Sequence, residues 1–233
     1  MKRYMQQITV PEVSIEGQKK IQAAKVLIIG AGGLGTPAAL YLSAAGVGII
    51  GILDGDKVEL SNLSRQFVYT ENEVGELKAP ILAAKLLEQN PSIQVNAYTE
   101  MLSNENAKNY IGQHDIICDC TDNAETKILI DRVCGQLQKP LIYAVAKGWE
   151  GYVTVFHHKR KVTLEHVFSY QSLMENETLN CSGAGIINAT CGIGGSIQAS
   201  EVIKIILGLS SKLDGGILVF NAIEPTFKLF ELK

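Results

Sequence analysis

Apolar runs of strand length recur through the first 150 residues of the chain. Segments of helix length separate them, at 34–45, 78–89, 103–111 and 124–138, and Asn90-Pro91 closes the second. The runs are KVLIIG at 25–30, IIGILD at 49–54, IQVNAY at 93–98, DIICDC at 115–120 and PLIYAVA at 140–146. Continuous apolar strands that alternate with helices are typical of a parallel sheet covered on both faces. The pattern therefore predicts a doubly wound, Rossmann-like α/β fold.

The pattern changes after residue 150. GYVTVFH at 151–157 alternates between apolar and polar positions, as an antiparallel strand does. An aperiodic polar stretch follows, then a helix expected at 194–207, and GGILVFNAIEPTFKLFEL predicts two final strands around a turn. We expect a single domain, 1–233, made of an N-terminal arm and helix (1–25), a Rossmann-like core (26–150) and an antiparallel extension (151–233) with a crossover loop at about 157–190.

The charge and cysteine content argue against several classes of protein. The chain has 21 Lys+Arg against 24 Asp+Glu, so it lacks the global positive field that drives nucleic-acid binding. Its apolar stretches are too short to span a bilayer, and its first residues do not resemble a signal peptide. We expect a cytoplasmic protein with no membrane partner. The five cysteines never form a C-x-x-C pair, which favours free thiols over disulfides or a Cys₄ metal site.

The first chemical signal is a glycine-rich turn, GAGGLG, between a predicted strand and a predicted helix. Such glycines let the backbone approach a phosphate, and the helix N-terminus offers free N–H groups. They are Gly30, Gly32, Gly33 and Gly35. Asp54, about 20 positions further on, is placed to bind a ribose hydroxyl. These features predict an adenine nucleotide, although the motif alone does not distinguish NAD, FAD and ATP.

Polar residues after Asp54 favour a triphosphate. They are Asp56, the run SNLSRQ at 61–66, and Lys78. The pyrophosphate of a dinucleotide is already covered by the glycine-rich turn, whereas a triphosphate needs further donors. Arg65 can direct two N–H donors at phosphate oxygens, Lys78 supplies a point charge, and Asn62 supplies an amide N–H. Either cation alone is as easily an ordinary solvated charge, but their occurrence together with Asn62 favours a phosphate site.

Three longer runs resemble the ThiF/MoeB/HesA family, bacterial relatives of the ubiquitin-activating enzymes. They are KVLIIGAGGLGTPAALYLSAAGVGIIGILDGDKVELSNLSRQF, VGELKAPILAAKLLEQNPSIQV and DIICDCTDN, and the resemblance covers nearly the whole chain. It implies a homodimer that uses ATP and Mg²⁺ to adenylate the terminal glycine of a ubiquitin-like sulfur-carrier protein, ThiS-like or MoaD-like. A sulfur donor such as a cysteine desulfurase would then allow conversion to a thiocarboxylate.

The resemblance also implies a set of nucleotide-site residues. Matched position by position, they are Gly33, Asp54, Asp56, Ser61, Asn62, Arg65, Lys78, Asp122 and Asn123. Asp122 follows the strand DIICDC, where ligands bind in open α/β sheets, and its carboxylate can hold Mg²⁺ against the phosphates. It can alternatively cap the next helix. No general base is expected, because the carrier carboxylate is ionised at neutral pH and can attack the α-phosphate directly.

Two departures from the family pattern bear on activity. Many members begin R-Y-x-R-Q, and their second arginine reaches the nucleotide of the neighbouring subunit, whereas Gln6 stands here. Many members also bind a structural zinc through two C-x-x-C pairs. KRKVTLEHVF and FKLFELK stand in those places, so we expect no structural zinc. His157, His158 and His166 are expected on a polar surface rather than at a metal.

Cys181, in LNCSGAG, is the cysteine best placed for sulfur or acyl transfer, because a polar loop precedes it and small residues follow. The resemblance adds that a cysteine at this point can form a covalent link with the carrier in ThiF-like members. An incidental thiol is the alternative. The other cysteines are expected to be buried in or beside strands and helices. They are Cys118, Cys120, Cys134 and Cys191.

Two further functions stay open. A tRNA-modifying dehydratase of the same superfamily is opposed by the acidic pI and by the form of SNLSRQ. A non-catalytic dimeric scaffold is suggested by Gln6 and by the missing zinc cysteines. A dehydrogenase is disfavoured, because no His–Asp or Tyr–Lys arrangement for hydride transfer is evident. Within the favoured interpretation, the missing zinc cysteines and the lack of a rhodanese extension favour thiamine over molybdopterin chemistry.

Overall fold

The fold is that of a computed structural model, which describes residues 2–174 and 185–232. In those ranges eight strands form one sheet in the order β3-β2-β1-β4-β5-β6-β7-β8. The strands are β1 Lys25–Ile29, β2 Ile49–Leu53, β3 Gln94–Tyr98, β4 Ile116–Asp119, β5 Leu141–Lys147, β6 Glu150–Phe156, β7 Gly216–Asn221 and β8 Thr226–Glu231. The first five are parallel and the last three antiparallel, so the predicted α/β fold is confirmed.

Helices cover both faces of this sheet. They are α1 Met5–Ile8, α2 Ser14–Ala23, α3 Gly35–Ala45, α4 Lys78–Gln89, α5 Ala107–Gly112, α6 Ala124–Leu137, α7 Leu164–Val167 and α8 Asn188–Leu207. One apolar cluster joins the sheet to α2, α3, α4 and α8, and a second joins the opposite face to α5, α6 and α7. None of the helices in the described ranges is long and apolar enough to cross a membrane.

Helix α8 begins at Asn188 rather than at the predicted Gly194, and the reason is packing. Glycine usually marks a helix boundary, but here it allows a close approach to α3. A Cβ on Gly194 would lie 2.6 Å from Leu34 Cδ2, and one on Gly195 would lie 2.5 Å from the Leu34 carbonyl oxygen. The glycines therefore lie inside α8, where the chain after β1 packs against it.

The segment after β6 differs from the predicted polar loop, because its described part is anchored to the core. His157 is not a surface residue: its side chain is 9% exposed and its Nε2 lies 2.7 Å from Asp131 Oδ1 on α6. Asp131 also accepts hydrogen bonds from the Leu164 N–H at 3.0 Å and the Tyr170 hydroxyl at 2.8 Å. One buried carboxylate thus fixes the start of the crossover. His166 is exposed as expected, and His158 is partly exposed.

Candidate functional site

The predicted site residues lie at the carboxyl ends of β1, β2 and β4. These strands are neighbours, and the strand order reverses between β1 and β4. Ligands of open α/β sheets bind at such a reversal, because the two connecting helices leave on opposite faces and open a crevice. The glycine-rich turn follows β1, Asp54 and Asp56 follow β2, and Asp122 follows β4. The sheet therefore brings together segments that are far apart in sequence.

The glycine-rich turn is closed so tightly that side chains would not fit. Gly30 has a φ of +96°, which favours glycine, and a Cβ there would lie 2.7 Å from the Cys120 carbonyl oxygen. A Cβ on Gly35 would lie 1.9 Å from the Gly30 carbonyl oxygen. The turn thus packs against the end of β4, two residues before Asp122.

Asp54 fastens this turn. Its Oδ2 accepts the Ala31 N–H at 2.6 Å and its Oδ1 accepts the Asp56 N–H at 2.7 Å. Burial raises the pKa of Asp54, and these two hydrogen bonds act in the opposite direction. The Tyr69 hydroxyl donates to the Ala31 carbonyl at 2.8 Å on the same turn. Because both carboxylate oxygens already accept backbone N–H groups, a ribose contact of Asp54 would use a remaining lone pair and stays a prediction.

Lys78 is a buried cation rather than an ordinary solvated charge. Its side chain is 8% exposed, and its Nζ lies 3.1 Å from Asp56 Oδ2, whose side chain is 53% exposed. The Lys78 N–H also donates to the Asp56 carbonyl at 3.0 Å, which fixes the start of α4 beside the end of β2. An ammonium group has three donors, so Lys78 can contact a phosphate while it keeps Asp56.

The SNLSRQ run forms a compact turn beside the glycines. Its Asn62 is buried, and Asn62 Oδ1 accepts the Glu59 N–H at 3.3 Å. Arg65 Nη1 donates to the Ser61 carbonyl at 3.1 Å. A Cβ on Gly33 would lie 3.7 Å from Arg65 Cγ, so the arginine lies against the glycine-rich turn. Arg65 thus lies beside Gly33, and Asn62 Nδ2 donates to Ser61 Oγ at 3.4 Å; the phosphate contacts of both residues stay a prediction.

Asp122 is exposed at the end of β4, and the alternative role proposed for it is wrong. Asn123, not Asp122, caps α6, because Asn123 Oδ1 accepts the Thr126 N–H at 2.8 Å. Asp122 is therefore exposed but not the helix cap, and it follows Cys120 and Thr121, whose backbone packs against Gly30.

Sequence reasoning missed two side chains that line the turn. Gln66 is buried with its Nε2 3.5 Å from the position of a Cβ on Gly32, and its Oε1 has no hydrogen-bond partner in the described part of the chain. Cys191 Sγ lies 2.7 Å from the position of a Cβ on Gly33. Burial raises the pKa of the Cys191 thiol, and the Arg65 guanidinium opposes that shift. Gln66 belongs to the SNLSRQ run, so that motif could have identified it as a site residue. Nothing in the sequence singled out Cys191.

The four described cysteines are all buried and free, as predicted. Burial raises the pKa of Cys118, Cys120 and Cys134, so none of these thiols is a reactive thiolate. Cys181 lies outside the described residues. Over 2–174 and 185–232 no three His, Cys, Asp or Glu side chains are grouped as a metal site would require.

Gln6 is exposed on α1. It lines a groove between α1, α3 and α8 that Tyr41, Ser200 and Lys204 also line, and none of the glycines of the turn does so. The expected position of Gln6 at a dimer interface stays a prediction.

The residues at this crevice suit ATP and a magnesium ion. The glycine-rich turn lies at the N-terminus of α3, where backbone N–H groups can bind phosphate oxygens. The unpartnered Gln66 oxygen can accept a hydrogen bond from an adenine amino group or a ribose hydroxyl, and Lys78 and Arg65 supply positive charge. The exposed Asp122 carboxylate is the kind of oxygen ligand that Mg²⁺ takes alongside substrate phosphates.

Known structures share this fold. E. coli MccB with MccA-N7isoAsn superposes with a TM-score of 0.84 over 99% of this chain and 71% of that chain, at 20% identity. Selenomethionine PaaA superposes with a TM-score of 0.82 over 99% and 73%, at 23% identity. MccB with ATP gives a TM-score of 0.79 over 92% and 65%, at 22% identity. At these identities the likeness concerns the fold alone.

Two curated relatives are more similar in sequence. The adenylyltransferase and sulfurtransferase MOCS3 of Culex quinquefasciatus is 42% identical over 99% of this chain and 52% of its own length. The probable molybdopterin-synthase adenylyltransferase of Porphyra purpurea is 40% identical over 99% and 60%. The chain thus spans only a little over half the length of the curated relatives it matches. The sequence profile of the ThiF family matches residues 4–233, and this chain belongs to that family.

Proposed function

We propose that this chain is an ATP-dependent adenylyltransferase that activates the C-terminal glycine carboxylate of a ubiquitin-like sulfur-carrier protein. Three placements support the proposal: Arg65 Cγ lies against Gly33, the buried Lys78 pairs with Asp56 after β2, and the exposed Asp122 follows Cys120, whose carbonyl packs against Gly30. A dinucleotide site needs the turn, whereas the added cations suit a triphosphate. The similarity to two proteins named as adenylyltransferases supports the same assignment.

The reaction needs positioning and charge neutralisation more than proton transfer. The carrier carboxylate attacks the α-phosphorus of ATP, an acyl adenylate forms and pyrophosphate leaves. Lys78 and Arg65 offset the negative charge on the transferred and leaving phosphates. Asp122 would hold Mg²⁺, which on binding supplies further neutralisation of phosphate charge. The glycine-rich turn orients the nucleotide through backbone N–H groups.

The carrier is ThiS-like or MoaD-like, and the relatives now favour the second. One relative is named for molybdopterin synthase, whereas the missing zinc cysteines favoured thiamine. After adenylation, a sulfur donor such as a cysteine desulfurase would supply the sulfur for a thiocarboxylate. Cys181 is the candidate thiol for a covalent link with the carrier during this step. We place the enzyme in the cytoplasm as a homodimer, and the groove at Gln6 is the candidate contact face.

The direct test is ATP–pyrophosphate exchange with purified chain and each of two carriers, one ThiS-like and one MoaD-like. The matched control is the same carrier without its terminal glycine. Exchange that needs both the chain and the intact carrier supports the proposal, and the more active carrier names the pathway. ATP binding by calorimetry without exchange on either carrier would overturn it in favour of the non-catalytic scaffold. Exchange stimulated by tRNA instead would favour the dehydratase.

A further inference from the structure

A buried ion pair lies directly behind the segment that carries Asp122. Asp119 ends β4 and its side chain is 0% exposed, while Lys127 on α6 has a side chain that is 7% exposed. Lys127 Nζ lies 3.3 Å from both carboxylate oxygens of Asp119 and 3.5 Å from the Ala144 carbonyl oxygen. It also lies 4.7 Å from the centre of the Tyr143 ring. The pair is therefore fixed on several sides.

The same carboxylate fixes the first part of the turn after β4. Asp119 Oδ1 accepts the Thr121 N–H at 2.9 Å and the Thr121 hydroxyl at 2.7 Å. From the other face of the sheet, Gln198 on α8 donates to the Asp119 carbonyl at 2.9 Å, and the Cys120 thiol donates to Gln198 Oε1 at 3.3 Å. Residues 119 to 121 are thus held from both faces.

The second part of the turn is fixed through α6. Asn123 caps this helix through the Thr126 N–H at 2.8 Å, and the Lys127 N–H donates to the Asn123 carbonyl at 3.3 Å. The Lys127 side chain then returns to Asp119. The ion pair therefore closes a loop that begins at the end of β4 and contains Asp122.

We propose that Lys127 and Asp119 are positioning residues that hold Asp122 where its carboxylate meets magnesium-bound ATP. This inference rests on the proposed function. A single carboxylate on a turn loses much of its affinity for a metal if the turn moves, and groups that orient metal ligands typically contribute 10- to 100-fold to metal affinity. A buried ion pair can hold this turn in place, because separating the two charges in a medium of low dielectric constant is costly.

The test measures how much Mg²⁺ tightens ATP binding. Isothermal titration calorimetry gives the Kd for ATP with EDTA and with Mg²⁺. The Kd with EDTA divided by the Kd with Mg²⁺ measures how much the ion tightens binding, and this ratio is compared among variants of the full chain. Lys127→Met removes the charge and Lys127→Arg keeps it. Thr121→Val is a milder variant that deletes one hydroxyl donor to Asp119 and nearly preserves the side-chain shape. Asp122→Asn is the reference for a lost ligand. His157→Leu is the matched control, because it also breaks a buried pair to α6, at Asp131.

We expect the ratio to fall about tenfold or more in Lys127→Met and in Asp122→Asn, and by a smaller factor in Thr121→Val. Lys127→Arg and His157→Leu should keep it. If Lys127→Met does not fold, the comparison of Thr121→Val with Asp122→Asn decides the matter. An unchanged ratio in Thr121→Val and in any folded Lys127→Met, with a fall in Asp122→Asn, would overturn the positioning role alone. An unchanged ratio in Asp122→Asn would instead overturn the magnesium role in the proposed function. An equal fall in His157→Leu would show a general effect of breaking buried pairs and would also overturn the positioning role.

Discussion

Two lysines on helix α4 offer a matched test of the phosphate contact. Lys78, at the first position of α4, pairs with Asp56 at 3.1 Å, and Lys85, two turns along, pairs with Glu73 at 2.9 Å. Lys85 also donates to the Val68 carbonyl. Lys78→Ala and Lys85→Ala therefore each remove one cation and one ion pair from the same helix. Only the first removes a cation from the crevice.

The two changes should differ in activity far more than in stability. A lost charge-assisted contact to the transition state is worth about 3 kcal/mol, or roughly a 100-fold slower reaction. Asp56 is 53% exposed, so its carboxylate returns to water when Lys78 is lost, and the pair itself contributes about 0–1 kcal/mol to folding. Lys85 and Glu73 are 26% and 24% exposed, so loss of that pair costs about the same or somewhat more.

The assay combines carrier-dependent pyrophosphate exchange with thermal unfolding of both variants. A difference of about 1 kcal/mol moves the Tm of a chain of this size by roughly 2–4 °C. We expect both variants to unfold within that range of the parent. The exchange rate of Lys78→Ala should fall by about 100-fold. The rate of Lys85→Ala should stay within about threefold of the parent, because no transition-state contact is lost. Arg65→Ala should behave like Lys78→Ala, because the stem of Arg65 packs against the glycine-rich turn and its removal also takes a cation from this region.

Equal exchange in Lys78→Ala and Lys85→Ala, in protein shown to be folded, would refute the phosphate role of Lys78. Unchanged exchange in both Lys78→Ala and Arg65→Ala would refute the assignment of the crevice to the triphosphate. A large loss of Tm in Lys78→Ala alone would show that the buried methylene groups of Lys78 are needed for folding stability, so that its lost exchange could not be assigned to the charge.

Three further predictions concern features that the family resemblance singled out. Gln6→Arg should tighten ATP binding, since a guanidinium offsets phosphate charge and an amide does not; an unchanged Kd would count against an active-site location for residue 6. The purified chain should carry no stoichiometric zinc, which elemental analysis showing one zinc per chain would contradict. Cys181→Ala should keep adenylation and abolish a reducible conjugate with the carrier, and a conjugate that survives the change would move that role to another cysteine.

The sequence predicted the elements well where local signals and packing agree. Helix α4 begins and ends where expected, at Lys78 and Gln89, because an amphipathic run ends at Asn90-Pro91. Helix α5 begins at Ala107 rather than at 103, because Asn106 Oδ1 accepts the Ser103 N–H at 2.8 Å and forms a turn there. Helix α8 was predicted too short, because its glycines pack against Leu34, a contact between distant parts of the chain.

The site was predictable in its membership but not in its contacts. Because the ends of parallel strands meet at one edge of a sheet, the sequence alone predicts that Asp54 and Asp122 lie beside the glycine-rich turn. The sequence did not reveal that Asp54 would bind two backbone N–H groups or that Asn123 would cap α6. It also did not indicate the buried pair of Lys127. Such contacts depend on which face of an element meets another, and motif spacing does not report that.

The two buried lysines of this region differ in what their partners allow. Lys78 pairs with an aspartate that is 53% exposed, so its ammonium can turn a donor toward a phosphate, and water compensates for any weakening of its contact with Asp56. Lys127 pairs with an aspartate that is 0% exposed, so separation would leave each buried charge without its counter-ion. The first arrangement suits a cation that must respond to substrate, and the second suits one that must stay in place. This difference in exposure is why we assign Lys78 to the phosphates and Lys127 to the turn that carries Asp122.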